Sequence, residues 1–210
     1  MYFIVKCILW SNCVYLRVRY KQKMEGIRTY FNKFIKITDE EWNAFASIIQ
    51  KQEYSKRELI LSSGTTCDFI AFVGEGMFRF YYVDEGDEKV TAFFFPGDFV
   101  SNYRSFLTDQ PSDHNIESMK ESVIYKVKKK DLFELYDQYP AIDRLGRLVA
   151  ENLYLTVAKR LDEFLYSKPE ERYRNLQNRN SKLLQEVPQY MLASYLGVKP
   201  ETLSRIRMRK

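Results

Sequence analysis

The sequence predicts an α+β chain in three consecutive parts: a barrel of short strands, one long helix, and a pair of short helices at the C-terminus. Apolar residues alternate with period two from about residue 54 to 130 and then recur every three or four residues over 141–166. A glycine and a proline punctuate the last twenty-two residues. The chain has 210 residues, 45% hydrophobic and 29% charged, a balance that belongs to folded rather than disordered chains. One His and three Cys argue against a zinc finger, a four-cysteine iron–sulfur cluster or a disulfide scaffold. No apolar run approaches the ~18 residues of a membrane-spanning helix, so no membrane partner is expected.

The net charge of +5 is unevenly laid out. Residues 1–23 hold five basic residues and no acid, residues 24–168 hold 19 basic and 24 acidic, and residues 169–210 hold nine basic and four acidic. An acidic middle with a basic tail points to a nucleic-acid partner at the C-terminus. In MYFIVKCILWSNCVYLRVRYKQK the charges follow the apolar stretch, whereas a signal peptide carries them in front. Residues 1–23 are expected to be a non-native or disordered extension ahead of Met24, with a basic interfacial anchor as the alternative. Without them only Cys67 remains, a lone thiol that suits a reducing, cytoplasmic setting.

TDEEWNAFASIIQ, residues 38–50, reads as a helix with Thr38 and Glu41 as its capping box and Trp42, Phe45, Ile48 and Ile49 at helical spacing. Turn signals at Gly64, Gly74–Gly76, Asp84–Gly86 and Pro96–Asp98 then separate CDFIAFV, MFRFYYV and KVTAFFF. In the second run Phe78, Phe80 and Tyr82 share one face, with Met77, Arg79 and Tyr81 on the other. Short aromatic strands at this spacing predict a sandwich or closed barrel. Asp84, Glu85, Asp87 and Glu88 lack the ligand pattern of a calcium loop and read as a solvated hairpin tip. VIYKVKKKDLFELY closes the strand region, with Lys128–Lys130 as a solvated exit.

Over 141–166, Ile142, Leu145, Val149, Leu153, Val157, Leu161 and Phe164 form one apolar stripe. At 1.5 Å per residue it is about 35 Å long and outreaches a barrel of about 100 residues. A two-stranded seam with a second copy is therefore expected along Leu145, Val149, Leu153, Val157 and Leu161, with Asn152 beside it to set register. Lys168–Pro169 ends the helix.

The last twenty-two residues, QYMLASYLGVKPETLSRIRMRK, carry the most information. Leu192, Leu196, Val198, Leu203 and Ile206 are a core; Ala193 is small where two helices would cross; Gly197 suits a turn with positive φ; Pro200 suits the first position of a new helix. This is the helix-turn-helix pattern, whose second helix enters the DNA major groove. It leaves Glu201, Thr202, Ser204, Arg205, Met208 and Arg209 facing outward. Arg205 can be bidentate to guanine and Glu201 can accept from cytosine N4, so Glu201, Thr202, Ser204 and Arg205 are the candidate base readers. Lys199, Arg207, Arg209 and Lys210 are candidate phosphate contacts.

From about residue 30 to 210 the chain resembles the CRP/FNR family of bacterial transcription regulators. The residues that carry the resemblance are Gly74-Glu75-Gly76, Pro96-Gly97-Asp98 followed by Phe99, and the tail from Gly197 to Ile206. Val187-Pro188-Gln189-Tyr190 and Ala193-Ser194-Tyr195-Leu196-Gly197 look like the branch common in Bacteroidetes. The resemblance implies a cyclic-nucleotide-binding jelly roll over 24–140, a dimerisation helix over 141–168 and a DNA-reading helix-turn-helix over 169–210. It implies double-stranded DNA, a second copy of the chain and RNA polymerase as partners.

The departures bear on mechanism. A cyclic-AMP receptor of the family carries a Gly-Glu pair after its Gly-Asp-Phe turn and, further on, an Arg followed by Ser or Thr and Ala. Here the stretch reads Val100-Ser101-Asn102-Tyr103-Arg104-Ser105, with Asn102 in the place of the Glu. Pro111-Ser112-Asp113-His114 offers no Arg to a phosphate. Losing two charge-assisted bonds, each worth roughly 1.5–3 kcal/mol, makes cyclic AMP an unexpected ligand. Asn102, Tyr103, Arg104 and Ser105 remain the candidate pocket for an unidentified effector. Cys67 alone cannot hold a cluster, and His114 reads as an exposed loop residue rather than a haem ligand. Lys199 stands where the family usually has a Ser or Thr N-cap, and no β-wing follows the recognition helix before Lys210, so the wing is absent or truncated.

These features favour a dimeric DNA-binding regulator reading a palindromic site. The alternative is a ligand- or partner-binding signalling module without DNA binding, against which the basic helix pair counts. An enzyme is not expected, since no nucleophile, base and orienter fall into a motif.

Overall fold

The computed structural model describes residues 23–209. The expectation for the N-terminal extension lies outside the described residues, apart from Lys23, and so does Lys210. Residues 23–31 are helical (α1), and α2 (Asp39–Ser47) follows. Thr38 caps α2 through both bonds of a capping box with Glu41. The helix ends earlier than its sequence suggests: Gln50 already opens β1 (Gln50–Tyr54). Seven more strands complete the barrel: β2 (Leu59–Leu61), β3 (Phe69–Glu75), β4 (Phe78–Asp84), β5 (Asp87–Phe94), β6 (Phe99–Val100), β7 (Asn115–Ser118) and β8 (Ser122–Lys128). They form two antiparallel sheets, ordered β1-β8-β3-β6 and β2-β7-β4-β5, the arrangement of a jelly roll. A short helix, α3 (Tyr103–Thr108), lies between β6 and β7.

Three apolar clusters organise the molecule. Leu61, Cys67, Phe69, Val73, Phe78, Val100, Ile116 and Ile124 fill the inside of the barrel. Outside the first sheet, Met24, Ile27 and Phe31 of α1, Trp42 and Phe45 of α2, and Leu132 and Leu135 of α4 (Lys129–Gln138) cover Phe72, Tyr125 and Val127. Outside the second sheet, Met77, Tyr81, Val90 and Phe93 share a core with the C-terminal helices. Strands covered on both faces need apolar residues at nearly every position, which is why CDFIAFV is a continuous run rather than an alternation.

The two faces read for MFRFYYV hold, with Phe78 and Phe80 in the barrel interior and Met77 and Tyr81 outside it, but the double cover buries residues on both: Phe78, Arg79 and Tyr81 are all buried. Arg79 is held by Glu88 and Glu117, its guanidinium 4.1 Å from the Tyr81 ring centroid. Burial acts against its charge, but the bonds to the two carboxylates outweigh that and hold it above the ordinary guanidinium range. Glu88 is exposed as a hairpin-tip residue, but it also pairs with a buried guanidinium. VIYKVKKKDLFELY also divides differently, since its second half is helix α4. Lys129 is no free exit residue: its ammonium lies 2.8 Å from Asp109 and over the Phe106 and Phe133 rings.

The long helix is α5 (Pro140–Tyr166). Its first two turns lie against the barrel helices. Ile142 and Leu145 are buried in the chain's own core and Val149 is partly buried there, so Leu145 is already spent and cannot line a seam. Leu153, Val157 and Leu161 are exposed, as is Asn152. Four short helices end the chain: α6 (Pro169–Arg179), α7 (Ser181–Glu186), α8 (Gln189–Leu196) and α9 (Pro200–Met208).

The Arg79 network makes one stability prediction. Glu117 is 14% exposed and Glu88 41%. Removing the more buried partner with Glu117→Ala should cost about 2 kcal/mol in urea denaturation, because a charged hydrogen bond is lost where water cannot replace it. Glu88→Ala should cost about 1 kcal/mol or less; equal losses would mean that the two carboxylates share the charge evenly.

Candidate nucleic-acid interface

The C-terminal residues are positioned by their own helices and by the barrel. The α8 helix ends at Gly197, whose φ of +65° is left-handed, and the amide of Val198 bonds back to Ala193 O. A Cβ at Gly197 would also lie 2.3 Å from the Phe164 ring of α5. The left-handed backbone selects glycine, and the tip of the half-exposed Phe164 ring would have to turn aside for any side chain there. Pro200 occupies the first turn of α9, where its missing N–H is not needed. Lys199, at the N-cap, makes no side-chain capping bond.

Leu192, Ala193, Leu196, Leu203 and Ile206 are buried together, and Val198 packs partly against them. This core turns the other side of α9 to solvent. Glu201, Arg205, Arg207 and Arg209 are exposed, while Thr202 and Ser204 are half-buried at the flanks. Arg209 lies 3.7 Å from Glu170, both of them largely exposed. The candidate base readers and the phosphate contacts within the described residues thus sit on one short helix and its entry turn.

Several contacts that place this helix pair have no motif in the sequence. Ser194 Oγ of α8 accepts the Val90 N–H of β5 at 2.8 Å, and the Tyr195 ring lies 5.5 Å from that of Phe93. Lys120 pairs with Glu186 at 2.8 Å. From the other side, Arg172 donates to Leu196 O at 3.1 Å and to Ser167 O at 2.8 Å, with its guanidinium over Phe164. Arg160 lies 3.9 Å from the Tyr195 ring centroid, and burial pulls its guanidinium below the ordinary range. An arginine within a strand otherwise rich in aromatics is a signal that could have flagged Arg79; Arg160 and Arg172 sit in helices of ordinary composition and carry none.

The candidate effector residues do not converge. Asn102 is buried: its Oδ1 accepts the Ser105 N–H at 3.2 Å and its Nδ2 donates to Ser112 Oγ at 2.7 Å. Ser105 is buried too, accepting from Cys67 N–H and donating to Gln110 O. Tyr103 stacks on Phe106, and burial pushes its phenol up. Arg104 points outward to Asp113 at 2.7 Å. Asp113 also meets His114, which chiefly holds its carboxyl below the usual range, with Arg104 adding to it. His114 corrects its reading as an exposed loop residue. Its side chain is 19% exposed, stacked on Phe80 at 4.3 Å and edge-on to Tyr82 at 5.1 Å. An imidazole beside aromatic strand residues is covered by them even when its own loop is polar. Among the described residues, no group of three or more His, Cys, Asp or Glu is placed to hold a metal ion. No helix of the described residues is long and apolar enough to cross a membrane.

Comparison with known proteins adds the family model of the cyclic nucleotide-binding domain, which matches residues 51–139. A cGMP-dependent 3',5'-cGMP phosphodiesterase of Dictyostelium discoideum is 30% identical over 111 residues, which is 52% of this chain and 12% of that protein. The chain therefore spans about an eighth of that relative's length. Among solved structures, FixK2 from Bradyrhizobium japonicum superposes with a TM-score of 0.64 at 19% identity, covering 77% of this chain and 84% of its own. A protein of Eubacterium rectale, assigned to the CRP/FNR family of transcriptional regulators, gives 0.63 at 14% identity, covering 82% and 83%. At these identities the likeness is one of fold.

The glycine requirement at Gly197 is testable. Gly197→Ala should lose about 1–2 kcal/mol from the left-handed backbone alone, with displacement of Phe164 added. Phe164→Ala should then cost less in the Gly197→Ala background than in the parent chain. Equal costs in both, by thermal denaturation, would mean that ring and turn are independent.

Proposed function

We propose that this chain, whose residues 51–139 form a cyclic nucleotide-binding domain within the fold of the CRP/FNR regulators, is a transcription regulator that binds double-stranded DNA. The observation that carries the reading is α9. It is braced from behind by Leu203 and Ile206, and it turns Glu201 and Arg205 to solvent within a basic tail. Arg205 would pair with a guanine edge and Glu201 with a cytosine amino group, with Thr202 and Ser204 beside them. Lys199, Arg207, Arg209 and Lys210 would hold phosphates, each adding about 0.9 to the salt slope on duplex DNA.

The partner that completes the reader is a second copy. Leu153, Val157 and Leu161 lie exposed on one long helix, and a paired α5 would cover them. Two recognition helices about 34–36 Å apart would read a palindromic site. Binding DNA requires no catalytic group, and the working setting would be the cytoplasm, with RNA polymerase as the machinery acted on.

In this reading the barrel does not take cyclic AMP. The position that would accept the ribose hydroxyl is Asn102, and its amide is already bonded to Ser112, which offers no positive charge to a phosphate. An effector of different chemistry would have to open that pair.

Two experiments test the proposal. In gel shifts on duplexes selected from random pools, Arg205→Ala should cost about 1–3 kcal/mol and relax one base preference, while Arg207→Ala should weaken all sequences alike. Equal loss on every sequence from both variants would remove Arg205 from base reading. Calorimetry should show no heat with cyclic AMP or cyclic GMP; micromolar binding of either would overturn the assignment of the pocket.

A further inference from the structure

The face of α9 opposite its core contains one residue that the DNA-binding reading has not used. Met208 is 79% exposed, among the most exposed large apolar side chains of the described residues. It lies seven positions after Glu201, four after Ser204 and three after Arg205. At 100° per residue, Glu201 and Met208 project nearly opposite the buried Leu203 and Ile206. The set 201, 204, 205 and 208 has the spacing i, i+3, i+4, i+7, by which a helix lying along the major groove presents four side chains to base edges. Three of these residues are polar and can form hydrogen bonds. The fourth is a flexible thioether with no strong donor or acceptor, left in water at the C-terminal end of a charged face.

One apolar group projects into the major groove of B-DNA: the C5-methyl of thymine. We propose that Met208 is a specificity-determining residue that packs against a thymine methyl in each half-site. The proposal rests on the DNA-binding reading and extends it to the chemistry of one further base. Seven residues of helix span about 10.5 Å, or about three base-pair steps of 3.4 Å. The thymine therefore lies about three base pairs from the base pair contacted through Glu201. Arg205, of the same set, would hold the guanine edge, and Arg209, one turn after it, a phosphate, which together fix this register.

The test uses the full chain and operator duplexes selected from a random pool, with thymines replaced one at a time by deoxyuridine, which lacks only the methyl. A buried methyl-sized group is worth about 0.8 kcal/mol, or about fourfold in affinity. One thymine per half-site, about three base pairs from the Glu201 contact, should show a fourfold loss on replacement. In Met208→Ala the same replacement should make no difference, while Met208→Leu should keep most of the sensitivity. Circular dichroism spectra of both variants should match the parent, since the side chain is exposed. Parent protein that binds every uridine-substituted duplex as tightly as the thymine duplex would overturn the proposal and leave the DNA-binding reading standing. The same holds if Met208→Ala keeps the full sensitivity, or if selected half-sites carry no thymine at that position. A chain that binds no duplex at low salt would overturn both.

Discussion

The β4–β5 hairpin carries apolar side chains on both faces, and the rest of the molecule follows from excluding water from both. Phe78 points into the barrel with Val73, Ile116 and Ile124. Met77, Tyr81, Val90 and Phe93 point out of it and share one apolar cluster with the C-terminal helices, with α8 packed directly on β5. The edge of β5 is blocked in the same way, because the Val90 N–H is bonded to Ser194. An uncovered edge strand with this face would invite other chains. The helix pair is consequently no appendage on a tether. It shares a core with the barrel, and its exposed face is set by what its buried face must cover.

This shared core gives the barrel a mechanical role whatever its pocket holds. The turn at Gly197 is gripped from α5 by Phe164 and from α6 by Arg172, and α8 is gripped from β5 by Ser194 and Tyr195. A shift in the hairpin must be taken up by α8, and α9 is packed directly on α8 through Leu192, Leu196 and Leu203. Packed interfaces of this kind move between discrete arrangements rather than deforming gradually.

Local chemistry was legible in the sequence, and long-range chemistry was not. The Thr38–Glu41 capping box, the run of α5 and the left-handed Gly197 each depend on residues within a few positions of one another, and the structure has them where the spacing puts them. The core of α8 and α9 could be read for the same reason. Arg79 lies on the face the alternation gives it, but its burial was not legible because its partners, Glu88 and Glu117, come from two other strands. His114 was misplaced because a polar loop lies over Phe80 and Tyr82, 34 and 32 residues earlier. Leu145 belongs by period to the same stripe as Leu153, and only the packing of α4 on the start of α5 tells them apart. Helix α4 was hidden because DLFELY follows a strand without a turn or capping signal.

The region around Asn102 and Ser112 is neutral and internally bonded. A buried Glu and Arg without their ligand would be two desolvated ions in need of partners. Asn102 and Ser112 need none, since each satisfies the other and the backbone: Asn102 caps α3, while Ser112 Oγ donates to His114 O and accepts the His114 N–H. The network is closed by its own hydrogen bonds, and Arg104 and Asp113 pair beside it. The four candidate residues are therefore better placed to hold the β6–β7 connection shut than to attract an anion. A barrel that needs no ligand to satisfy its interior can serve as a fixed support for the helices packed on its second sheet, and on the proposed reading the affinity of α9 for its site would then be set by the protein alone.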